Sequence, residues 1–198
     1  ERTYHRILYI WNDYAFKFNP IYMKKPDTVA DYIHPRYCEE GKEIPVEWGN
    51  AQNDATGAIL YGIAKGEKFG KNIIRNEVDR KTVQNLVWYL NTCRYWEDLD
   101  NGMWEENREL HMSSVGACLA GLYEIKDIVY VPDFLIEAGH VSISSLFPNE
   151  SLTKSCDLAQ LSLVYPYNLL SNVQTRIIVD RVEKNLLHQE KIISQTDG

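Results

Sequence analysis

Apolar positions recur at three- and four-residue spacing along most of the chain, the signature of helices with one buried stripe. In residues 1–18 the stripe is Tyr4, Ile7, Leu8, Trp11, Tyr14, Ala15 and Phe18, ended by Asn19-Pro20. From there to Gly49 the chain holds Pro20, Pro26, Pro35, Gly41 and Pro45 without a sustained period. It reads as one long ordered connection, and loops of that length in a compact domain usually carry function. A second helix is expected from about Asp54 to Lys65, closed by Gly66. A third runs from Glu77 to Cys93, with Val83, Leu86, Val87 and Leu90 inward. A polar connection then surrounds the turn signal Asn101-Gly102. The helix expected from His111 to Tyr123 is dominated by Val115, Gly116, Ala117, Ala120 and Gly121, whose small side chains place it in the interior. Val131-Pro132-Asp133 opens the next, with Pro as a first-turn residue, and it reaches Leu146. Cys156–Val164 and Leu169–Leu187 make two more. No segment alternates with period two over a useful length. The expected class is all-α, about seven helices, in which a long loop alternates with a short turn. With no repeat of hairpin length visible, a bundle or a toroid of helical hairpins fits better than a superhelical array.

Composition narrows the partners. The chain has 198 residues, 44% hydrophobic, with 21 Lys+Arg against 28 Asp+Glu. That balance suits a soluble globular domain, and the net charge of −7 leaves no basic face for nucleic acid or anionic membrane. No apolar run reaches the ~18 residues of a membrane helix. Cys38, Cys93, Cys118 and Cys156 are widely spread, which reads as buried thiols and a reducing, cytoplasmic compartment. No ligand spacing calls for a metal and no glycine-rich phosphate loop is present, so no cofactor is expected. Five Trp and 13 Tyr are flat rings that can pack a core or stack on a neutral, ring-shaped ligand.

Two segments concentrate groups that a site needs. Glu47-Trp48-Gly49-Asn50-Ala51-Gln52-Asn53-Asp54 sets an indole, three amides and a carboxylate at the mouth of a helix. The same residues also serve as a simple helix start, with Asn53 or Asp54 as cap and Trp48 as staple. The second segment, Tyr95-Trp96-Glu97-Asp98-Leu99-Asp100-Asn101-Gly102-Met103-Trp104-Glu105-Glu106, reads either as a sugar site or as a solvated acidic loop. A carboxyl packed on an indole beside a second carboxylate has its ionisation disfavoured twice, which is what a general acid requires. Glu105, between Trp104 and Glu106, has that setting. Glu97, Asp98 and Asp100 read as solvated surface, His111 as a helix-start histidine satisfied by backbone, and His5, His34, His140 and His188 show no partner spacing.

Trp48-Gly49-Asn50-Ala51-Gln52-Asn53-Asp54, then Tyr95-Trp96, then Trp104-Glu105-Glu106, resemble the catalytic half of glycoside hydrolase family 15, the glucoamylases and their relatives. The stretch from Asp100 to Leu122 also resembles the regulatory subunits of phosphorylase kinase, which share that family's fold. The resemblance implies an (α/α)6 toroid whose loops at one end form an acidic, aromatic site. It implies Glu105 as the general acid and Glu106 as a sugar-hydroxyl partner. Trp48 would line the cleavage subsite, Asp54 would be a substrate-contacting or structural acid, and Trp104 and Trp96 would line or support the pocket.

Fungal glucoamylases have Arg-Pro in place of Asn50-Ala51 and Asp in place of Gly102. The family's general base has no match in the chain and is expected beyond Gly198, and residues 1–198 are expected to be the middle portion of a larger toroid. The leading expectation is an inverting, exo-acting hydrolase of α-linked glucoside oligosaccharides or polysaccharides. The rival is a silent sugar-binding or regulatory toroid.

Overall fold

The computed structural model describes residues 1–20, 23–44, 50–104 and 107–187. These form seven α-helices: α1 (Arg2–Asp13), α2 (Asn53–Lys68), α3 (Glu77–Cys93), α4 (Met112–Ile125), α5 (Asp133–Leu146), α6 (Leu161–Val164) and α7 (Asn172–Val182). Among the described residues there is no strand, only isolated bridges pairing Tyr37 with Glu43 and Asp100 with Glu109. No helix among them is long and apolar enough to cross a membrane.

The interior is organised around α4, which is buried on every side from Met112 to Leu122. Small residues make that possible. A Cβ on Gly57 of α2 would lie 2.4 Å from the Ala117 carbonyl carbon, and one on Gly121 would lie 2.4 Å from the Gly57 carbonyl oxygen. The two helices therefore touch backbone to backbone. Outside this pair, α3 turns Val83, Leu86, Val87 and Leu90 inward, as its spacing predicts, and α1 buries Leu8, Ile10 and Trp11. The Thr82 hydroxyl donates to the Asn12 side chain and ties α3 to α1. Cys93 and Cys118 are buried, while Cys38 and Cys156 are half-buried, all as free thiols.

Several boundaries differ from the sequence pattern. Helix α2 runs through Gly66 to Lys68 and stops where Gly70 takes φ +71°. Pro132 stands just before α5 in an extended conformation instead of in its first turn. The helix expected from Cys156 is a 3₁₀ turn, Leu158–Gln160, followed by the four residues of α6. The last helix begins three residues later than expected, because Ser171 and Gln174 form a reciprocal capping box there. It continues as a π-helical turn, Glu183–Leu187.

The alternation of long and short connections sorts the molecule into two ends. At one, the turns after α2 and α4 meet the start of α3: Glu67 accepts from the amides of Ile73 and Ile74, and Gln84 bonds both backbone groups of Tyr130. At the other, the long connections bond to one another. Asn101 N donates to Ala51 O, Met112 N to Glu150 O, and the Thr153 hydroxyl to Glu109.

Candidate functional site

The helices that open at the long-loop end have no caps of their own. Gln52 stands at the N-cap of α2 without a side-chain bond, so neither Asn53 nor Asp54 caps it. The Asn53 amide instead donates to Asp100 Oδ2 at 3.1 Å. His111 stands at the N-cap of α4, also without a capping bond, and the carboxylate of Glu150 accepts from both the amide and the hydroxyl of Ser113. Each helix start is thus closed by a carboxylate from a distant loop, which fixes the loops to the helix ends.

The described parts of the connection, 94–104 and 107–111, are held at several points. Asp98, only 5% exposed, accepts from the Tyr32 hydroxyl and the Asn53 side-chain amide, both at 2.9 Å. Tyr32 in turn accepts from Arg108, which also bonds Leu99 O. The amide of Ile33 donates to the Tyr89 hydroxyl, so the segment around Tyr32 is pinned between α3 and the acidic loop. Asp100, 1% exposed, pairs its backbone with Glu109 at 3.0 Å in both directions and accepts from Gly102 N with Oδ1. The expectation of solvated surface therefore holds for Glu97, which is exposed and paired with Arg94, and fails for Asp98 and Asp100. Their carboxylates close polar groups that the meeting of three loops would otherwise leave buried and unpaired.

Trp104 stands on the rim of this connection, 54% exposed, with its indole N–H on Asp157 Oδ1 at 2.7 Å. Asp157 is held by Lys154 and by the Ala159 amide. Burial raises the Asp157 pKa, but those partners and Trp104 outweigh it and hold the carboxyl below its usual range. An indole anchored at its edge and half exposed can serve as a fixed stacking surface. Asp54, on the first turn of α2, has a buried Oδ1 without a hydrogen-bond partner, and burial pushes its carboxyl up despite the amides of Ala55 and Asp54. Trp96 packs edge-to-face on Tyr95 and on Phe134 of α5, under the guanidinium of Arg94. Trp48, Glu105 and Glu106 lie outside the described residues. Sequence reasoning missed Asp98, Asp100, Glu150 and Asp157 as structural partners of the site. The signals are faint: each works across 37 or more positions, through loops whose approach no local pattern announces.

Asp54, Asp100, His111 and Glu150 form one electrostatic cluster. Burial pushes Asp100 up to about 7, with the neighbouring Asp54 charge adding to the rise. Burial alone lowers His111, but Glu150, the Asn107 carbonyl and Asp100 together raise it to about 9. Both shifts have one sign in their effect on folding. The native state holds the Asp100 proton between about pH 4 and 7 and the His111 proton between about 6.5 and 9, where the unfolded chain has released them. Stability contributed by these groups therefore falls as pH rises through both windows. The expected result is a thermal midpoint that declines from pH 5 to pH 9, with Asp100→Asn flattening the part below pH 7. A wild-type midpoint that rises over that range contradicts the assignment. No group of three or more His, Cys, Asp or Glu among the described residues is arranged to hold a metal.

Comparison with known proteins gives this arrangement relatives. The family described as glycosyl hydrolases family 15 matches residues 35–130. A protein from Caenorhabditis elegans called probable phosphorylase b kinase regulatory subunit alpha is 30% identical over 166 residues, covering 72% of this chain and 13% of its own length. The mouse liver isoform of phosphorylase b kinase regulatory subunit alpha is 28% identical, again over 13% of its own length. The chain thus spans about an eighth of these relatives. Among solved structures, that of a glycosidase carrying a single Glu-to-Ala substitution superposes with a TM-score of 0.73 at 18% identity, covering 93% of this chain and 54% of the other.

Proposed function

We propose, for a chain whose fold is that of glycoside hydrolase family 15 and which is related to the phosphorylase kinase regulatory subunits, that the long-loop end binds α-linked glucosides and cleaves them from the non-reducing end with inversion. The fold is all-α and of the six-hairpin toroid type. The observation that carries the proposal is an edge-anchored indole, Trp104, held in the clamped segment 98–104 and followed directly in sequence by Glu105 and Glu106.

In this reading a glucosyl ring lies against the face of Trp104, and the apolar faces of ring and indole exclude water from the glycosidic oxygen. Glu105 protonates that oxygen as the bond breaks. Glu106 and Asp54 accept from sugar hydroxyls, Trp48 walls the cleavage subsite, and Trp96 supports the wall. Inversion then needs a carboxylate on the opposite face of the sugar, ~6.5–9.5 Å from Glu105, so that a water fits between them.

A second reading shares the binding step and omits the cleavage: a sugar-reading regulatory domain. The relatives described as regulatory subunits favour it. Both readings require the indole. Titration of the protein with maltotetraose, followed by calorimetry, is expected to show binding that Trp104→Ala weakens about tenfold, equivalent to ~1.4 kcal/mol. Equal affinity in the two proteins would remove Trp104 from the site.

A further inference from the structure

Deepening this reading and resting on it, we propose that His111 is the positioning residue of the acid-bearing loop. It holds the loop's two feet together, its ring against the backbone of Gly102 and its Nε2 on the carbonyl of Asn107. Gly102 has φ +66°, and a Cβ built there would lie 3.0 Å from His111 Cδ2 and Nε2. A side chain there would be strained by the backbone conformation and crowded by the imidazole. Five residues later, Asn107 O lies 3.2 Å from Nε2. The two contacts bracket Met103, Trp104, Glu105 and Glu106.

The ring is itself fixed. It is 5% exposed, and its Nδ1 lies 3.6 Å from Oε1 of Glu150, the carboxylate that closes the start of α4. A line of contacts thus runs from the α2/α4 backbone seam to the loop: helix start, Glu150, His111, loop. The chemistry of the partners sets the protonation state. A carbonyl only accepts, so Nε2 carries a proton toward Asn107 O, and the Glu150 carboxylate 3.6 Å from Nδ1 favours a second proton there, which makes the ring a cation. The charged groups that face it are acidic: Asp54 from α2, Asp100 and Glu109 from the connection, and Glu150 from the segment after α5. When the imidazolium loses a proton near pH 9, the neutral ring can donate to one partner only. The carboxylate is the stronger acceptor, so the proton stays on Glu150's side and Asn107 is released. The loop then loses one foot.

Amide hydrogen exchange of residues 101–104 and 107–108 tests this on the full chain, measured from pH 7 to pH 10 and corrected for intrinsic exchange. Maltotetraose affinity is measured alongside. Wild-type protection of the loop is expected to fall about tenfold across pH 9 while that of α4 stays constant. His111→Gln donates to Asn107 without titrating, so its loop protection should not change with pH. His111→Phe should expose the loop at every pH and weaken maltotetraose binding about tenfold. Wild-type protection independent of pH overturns the proposal, and so does a wild-type pH profile in His111→Gln. If wild type binds no sugar at any pH, the carbohydrate reading fails, while the exchange profiles still decide the role of His111. If His111→Phe does not fold, the wild-type and Gln profiles decide it.

Discussion

Glu105→Gln is expected to lower glucose release from maltooligosaccharides by two orders of magnitude or more, the usual ~10²–10⁴ contribution of a general acid. Gln keeps the shape and the hydrogen-bonding reach of Glu and removes only the transferable proton. The loop on either side is held by bonds of Asp100, Arg108, His111 and Asp157. Unfolding temperature and maltotetraose affinity should therefore change little while the rate collapses. The wild-type product should be β-glucose at the moment of cleavage, followed by NMR before the anomers equilibrate, since inversion of an α-link gives the β-anomer. Wild type and variant with equal rates would place the acid elsewhere. A wild type that binds maltotetraose and releases no glucose would leave the binding step standing without the cleavage.

Gly57→Ala is expected to cost about 3 kcal/mol of stability, at the upper end of what overpacking a tight interface costs. Its sign makes the test sharp. In a helix interior with room for a methyl group, Ala stabilises by ~1 kcal/mol relative to Gly. The added Cβ here would stand 2.4 Å from Ala117 C and from Cys118 N, both backbone atoms that cannot swing aside. Denaturant unfolding monitored by circular dichroism decides it: a loss shows that α2 and α4 touch at Gly57, and a gain shows that they do not.

Much of the scaffold could be read directly. Helix α3 has the bounds its periodicity predicts, because it lies with one face inward and its stripe is clean. Helix α4 was legible for a different reason: small residues with no polar face can only be interior. Near the C-terminus the apolar spacing carries both expected helices too far toward their starts: Leu158–Gln160 is 3₁₀, and the Ser171 cap opens α7 only after Leu169 and Leu170. At the site, the sequence pointed to Trp104 and its acidic neighbours through their clustering. It carried no sign that Asp98 and Asp100 are buried, because an acid that bonds a distant tyrosine or a distant amide looks the same in sequence as one that faces water. Nor could it show that Glu150 and His111 meet, 39 positions apart.

The division into a long-loop end and a short-turn end has a consequence for descent. What holds the helices is the glycine seam and the apolar stripes, and the residues that would face a sugar in the proposed reading sit on the loops. On that reading a lineage that lost its reactive carboxylate by a single base change would still inherit the scaffold and the loops it carries, ready for selection to turn from consuming a glucan to reporting that one is present.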